Sequence, residues 1–166
     1  MPNTALYLAA IILANISAAY LGPWSTPLNA FLLVGLTLSS RDALHDAWHH
    51  NRLVGRMAAL ILAGSILTAA ISWKAQRIAI ASACAFAVSG TVDTAIYHIA
   101  RHLPPQRRIN LSNLGSAAVD SVIFPALAFG AIMPAVSTGQ FIAKVAGGAL
   151  WARILALHST ASGPRP

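Results

Sequence analysis

Two six-residue phrases place a carboxylate where a carboxylate is costly. The first reads Val92-Asp93-Thr94-Ala95-Ile96-Tyr97 and the second Val119-Asp120-Ser121-Val122-Ile123-Phe124, each inside a long apolar run. The chain has only four acidic residues, all Asp, and these phrases hold two of them. An ionised side chain at the centre of an apolar, membrane-length helix costs roughly 2.5–3.5 kcal/mol, so such a group must be paired, be protonated or bind something. In each phrase an aromatic ring, Tyr97 or Phe124, follows the Asp by four residues. That spacing puts ring and carboxylate on one helical face. An acid beside a flat ring suits a planar ligand that donates hydrogen bonds, such as a purine-like base, with the ring stacking and the carboxylate accepting from N–H groups. Lys144, in a later apolar run, is the one cation able to answer these anions. A plain structural ion pair between Lys144 and Asp93 or Asp120 is the competing reading, although two acids for one lysine leave one carboxyl over.

Other polar side chains add candidates of lower rank. Asn29, Phe31 and Gln140 stand near the starts of two apolar runs and could reach a ligand, though capping and packing explain them equally well. Asn110, Ser112 and Asn113 precede another run, where Asn and Ser commonly cap a helix. Asp42 and Asp46 are four apart beside Arg41 and His45 in the most polar stretch of the chain. The nearby His45, His49 and His50 invite a metal site, but adjacent histidines in a basic loop are more often simply solvated. The single cysteine, Cys84, excludes an internal disulfide and a multi-cysteine metal site, and small apolar packing is its expected role. The sequence contains no Gly-rich phosphate loop or ATPase motif, and no cofactor is expected. An intramembrane enzyme would need a catalytic pair such as Ser and Lys or two activated acids, the latter requiring Asp93 and Asp120 within hydrogen-bond reach of each other, and a non-enzyme is the expectation.

The elements that must carry these residues are helices. Of 166 residues 57% are hydrophobic and 9% charged, with a mean hydropathy of +0.65. A soluble domain is about 25% charged, so an integral membrane protein is implied. A spanning helix takes about 20 residues, and the chain can supply six with little left over. The predicted spans are residues 4–21, 28 to about 40, 57–73, 78–100, 114–133 and 137–157. The second is short and either continues into the polar stretch or is partly re-entrant. Residues 22–27 form a tight turn with Trp24 at the interface, and Pro134 marks a break between the last two spans. One membrane domain over residues 1–158 and a loose Gly- and Pro-bearing tail over residues 159–166 account for the chain. The first run lacks a basic n-region and a convincing cleavage site, so it reads as a retained helix.

Charge gives the orientation. Eleven Lys and Arg against four Asp could suggest nucleic-acid binding, yet the cations sit in gaps between apolar runs rather than along one face. Arg41, Arg52 and Arg56 follow the second span and Arg101, Arg107 and Arg108 the fourth, whereas the loops after the first and fifth carry none. Basic short loops stay inside, so both termini are expected to be cytoplasmic in a multi-pass inner-membrane protein. Asp93 then lies eight residues before Arg101 and Asp120 seven after Asn113, about 12 and 10 Å of helix from the same side. Lys144, nine residues before Arg153, lies about 14 Å in. All three reach a similar depth.

At this point a family likeness can be set beside the residues. Pro27-Leu28-Asn29-Ala30-Phe31, then Ser40-Arg41-Asp42-Ala43-Leu44-His45-Asp46, then Asn110-Leu111-Ser112-Asn113 leading to the second Val-Asp phrase, and finally Gly139-Gln140-Phe141-Ile142-Ala143-Lys144, resemble the VUT family of vitamin uptake transporters, regarded as queuosine precursor transporters. The resemblance covers nearly the whole chain. It implies an all-α bundle of six transmembrane helices, similar to the substrate-binding component of energy-coupling-factor transporters, that imports a 7-deazaguanine such as preQ0 or preQ1. It also implies that Asp120, Ser121, Phe124, Gln140 and Lys144 lie near the pocket and that Asp42 and Asp46 belong to the family's acidic stretch. Asp93 and Tyr97 rest on the residues alone. The expected partners are a planar heterocyclic substrate and the lipid bilayer, with an ion gradient, a separate energising partner or metabolic trapping driving uptake. A holin-like pore or a structural membrane subunit is the alternative.

Overall fold

The computed structural model describes residues 2–37 and 53–161. Asp42, Asp46 and the histidines at 45, 49 and 50 lie outside the described residues. Helix α1, Pro2–Leu21, is built from Ala, Leu and Ile with a proline in its first turn, where the missing N–H costs nothing. It ends at Gly22, whose φ of 77° is the left-handed conformation glycine tolerates and whose N–H bonds back to the Ala18 carbonyl at 3.1 Å. A short 3-10 turn, Pro23–Ser25, leads to α2, Thr26–Asn29, which runs on through a π-helical turn, Ala30–Val34, and residues 35–37. The remaining helices are α3, Leu53–Ile71, α4, Gln76–Ile99, α5, Pro105–Phe129, and α6, Pro134–Ala161.

Several boundaries differ from the sequence expectation, each for a local reason. Helix α5 starts at Pro105, not near residue 114, because a proline at the first helical position supplies the start and nothing after it breaks the helix. Asn110, Ser112 and Asn113 are therefore inside the helix rather than capping it, and the Ser112 and Ser116 hydroxyls bond back to the Ile109 and Asn113 carbonyls, each at 3.1 Å. Pro134 begins α6, and the helix continues to Ala161, past the expected limit of 157 or 158, because no Gly or Pro follows residue 157 until Gly163. Cys84 is exposed on α4 instead of packed between helices.

The six helices close a ring. Helix α1 packs on α3, α3 on α4, α4 on α5, α5 on α6, and α6 returns to α2, which lies against α1. Small side chains make the contacts close: Ala10, Ala18, Ala79, Ala81 and Ala85 are all buried. The tightest approach joins α2 to α6. A Cβ on Gly35 would stand 2.7 Å from the Gly147 carbonyl carbon, and one on Gly147 would strike the Phe31 carbonyl oxygen, so the two backbones touch. The π-helical turn lies at this contact. Leu13, Ile66, Ile80, Ile99 and Ile142, by contrast, point outward and are exposed. This apolar exterior over a small-residue interior is what lipid-embedded bundles show, since lipid gives no reason to bury large side chains. Three helical stretches, Thr4–Leu21, Trp73–His102 and Gln106–Phe129, are long and apolar enough to cross a bilayer, and Ala58–Ile71 is a shorter apolar helix. No strand occurs among the described residues.

Candidate functional site

The ring encloses a cavity of about 540 Å³. It runs from Thr26 and Gln140, near the α1–α2 turn, to Thr37, Asn110 and Ala149 at the other end. Its charged feature is Lys144, 4% exposed, on α6. The Lys144 Nζ lies 2.5 Å from Asp120 Oδ2 on α5 and donates to Ser121 Oγ at 3.0 Å and to Gln140 Oε1 at 3.3 Å. Three acceptors for three ammonium donors leave the lysine satisfied. The chain of contacts continues outward. Gln140 Nε2 donates to Thr26 Oγ1 at 2.7 Å, and Thr26 Oγ1 donates to the Pro23 carbonyl at 2.6 Å. One hydrogen-bonded line thus connects the cavity wall to the α1–α2 turn through α5, α6 and α2.

Local sequence explains the placement. Gln140 and Lys144 are four apart and share a face of α6, and Asp120 and Phe124 are four apart on α5. Pro125, fully buried, lacks the N–H that would bond the Ser121 carbonyl, so the helical ladder is interrupted beside the ion pair. Asp120 is about a quarter exposed, and Phe124 reaches the same wall, its ring meeting Phe129 edge-on at 6.3 Å. A carboxylate held by one lysine still has unshared lone pairs to offer a ligand, and the adjacent ring offers a flat face.

Of the candidates read from the sequence, Asp120, Phe124, Lys144, Gln140, Asn29 and Asn113 line the cavity. Ser121 does not line it but holds the lysine. The first phrase is placed elsewhere. Asp93 is not on the cavity wall, and its buried Oδ1 has no hydrogen-bond partner among the described residues. Tyr97 is exposed and faces Arg108 of α5, whose guanidinium lies 3.7 Å from the ring centroid and bonds the phenol oxygen. Lys144 therefore meets one of the two acids, because α4 presents Asp93 away from the lumen that α5 and α6 line together. Phe31 is also off the wall, and its backbone carbonyl is what matters at the α2–α6 contact. Asn29 both lines the cavity and ties helices together, accepting from Ser17 Oγ at 3.1 Å and donating to the Ala14 carbonyl at 3.4 Å.

Sequence reasoning overlooked Thr26, Asn15, Ser65 and Ser82, all on the wall. Asn15 had a signal, being the one amide inside the first apolar run; the serines and Thr26 had none that separates them from ordinary helix–helix packing. No curated protein and no solved structure is similar enough to the chain to match it. A family model does match, over residues 6–157, which takes in every element of the ring and the whole polar line from Thr26 to Lys144. The chain belongs to the family described as putative vitamin uptake transporters.

Proposed function

We propose that this membrane transporter imports a flat, hydrogen-bonding heterocycle, specifically a 7-deazaguanine such as preQ0 or preQ1, across the inner membrane, with both termini in the cytoplasm. The observation that carries the reading is the Lys144–Asp120 pair with Gln140 and Phe124 beside it on a cavity wall. Asp120 accepts from adjacent ring N–H groups, Phe124 stacks, and Lys144 holds the carboxylate in place on the cavity wall. Gln140, fixed by Thr26, holds the lysine. The family match supports uptake of a small molecule, and the basic loops after the second and fourth helices support the orientation.

Uptake of labelled preQ0 and preQ1 into cells lacking their own carrier tests the proposal. Accumulation above empty vector, abolished by Asp120→Asn while the protein still inserts, is the expected result. Accumulation equal to empty vector contradicts it. A pore-forming protein has no requirement for an acid at this depth, so permeabilisation that survives Asp120→Asn would support the holin-like alternative.

A further inference from the structure

The wall opposite the ion pair carries a second polar set. In the ring order, α1 and α3 stand across the lumen from α5 and α6. Asn15 of α1 and Ser65 of α3 line the cavity there, and Ser82 of α4 lines it between that wall and α5. Three cavity hydroxyls are committed to their own helix: Thr37 to the Val34 carbonyl at 2.8 Å, Ser89 to the Phe86 carbonyl at 3.1 Å and Ser116 to that of Asn113. Ser65 and Ser82 differ, since neither hydroxyl has a hydrogen-bond partner among the described residues. Asn15 is 3% exposed, and its amide nitrogen makes one long contact, 3.5 Å to Thr68 Oγ1, which leaves its carbonyl oxygen uncommitted. Unpaired polar groups in an apolar bundle cost stability unless something meets them. All three groups are neutral. The one cation on the described cavity wall, Lys144, is already matched by Asp120.

Size points the same way. A cavity of about 150 Å³ holds a benzene, so one of 540 Å³ has room for roughly twenty non-hydrogen atoms, about half as many again as a bicyclic base with a short side arm. Resting on the heterocycle reading above, we infer that Asn15, Ser65 and Ser82 form a second subsite for a neutral, hydroxyl-bearing substituent, so that the transporter also takes the nucleoside form of its base. Ribose hydroxyls both donate and accept, as the two serines do, and the Asn15 oxygen accepts. A phosphate on the same sugar would enter a wall whose one cation among the described residues is already matched by Asp120, which disfavours the nucleotide.

The test is thermal stabilisation of the purified full-length protein by 7-deazaguanine, its nucleoside and the nucleoside 5′-monophosphate at equal concentration, since a ligand of the folded state stabilises it in proportion to affinity. The expected order is nucleoside above base, by roughly tenfold in apparent affinity for one or two added hydrogen bonds, with no shift from the monophosphate. In the Ser65→Ala/Ser82→Ala double variant the gap between nucleoside and base closes. A base that binds while its nucleoside does not overturns the second subsite and leaves the heterocycle reading intact. A nucleoside advantage that persists in the double variant, or a monophosphate that binds as well, also overturns it. If neither base nor nucleoside binds, the heterocycle reading fails as well.

Discussion

Asp120, Lys144, Gln140 and Thr26 act as a line, and each link predicts its own substitution. Replacing Lys144 with Ala strands Asp120 on an apolar wall and takes away the partner of Gln140; breaking a buried pair by removing one member costs about 3–5 kcal/mol. Thermal melting in detergent should show Lys144→Ala as the most destabilised of the single variants, and a melting curve matching wild type would contradict the assignment. Thr26→Val removes the acceptor for Gln140 Nε2 and leaves a buried amide unpaired, at a cost of about 1–3 kcal/mol. Thr26→Ser keeps the hydroxyl and should melt near wild type; equal losses from Val and Ser would mean that shape and not the hydrogen bond matters. At this scale the sequence was half legible. A carboxylate and a lysine in apolar runs announce themselves by cost, and helix rise put them at one depth. Azimuth was not legible: Asp93 has the same spacing to its ring as Asp120 but turns away from the lumen, and only packing of α4 against α5 decides that.

Helices α2 and α6 are where an element, more than a side chain, is at stake. Gly35 and Gly147 allow two backbones to touch beside the π-helical turn of α2, and the same two helices carry Thr26 and Gln140. Gly147→Ala puts a methyl into the Phe31 carbonyl, and overpacking of this kind costs about 1–3 kcal/mol while pushing α2 away. The expected result is a lower melting temperature together with weaker ligand binding, since the Thr26–Gln140 bond opens with the helices. Gly90→Ala, where an added methyl meets nothing within 4 Å, is the control and should melt at or slightly above wild type. Helix existence was readable from the apolar runs, and the turn at residues 22–27 from Gly22, Pro23 and Pro27. The start of α5 was not, because Arg107, Arg108, Asn110 and Asn113 read as a polar loop although nothing in them interrupts a helix that Pro105 has begun.

The described residues form a ring of six helices around a lumen that carries polar side chains from one end to the other. An even number of spans with basic loops on one side predicts both termini in the cytoplasm, and reporter fusions at residues 1 and 166 should agree with each other; termini on opposite sides would require a different span count. The ring also explains why composition revealed the class but not the site. Lipid and interior both accept apolar residues, so hydropathy marks helices without marking which face is inward. The central claim is that the Asp120–Lys144 wall holds the transported heterocycle. It is tested most directly by equilibrium binding of labelled preQ1 to the purified protein, wild type against Asp120→Asn. Saturable binding to wild type and at least a tenfold weaker affinity in a variant that retains its fold is the result predicted, because a charged acceptor is worth about 1.5–3 kcal/mol more than no bond. Equal affinity in the two proteins would contradict it.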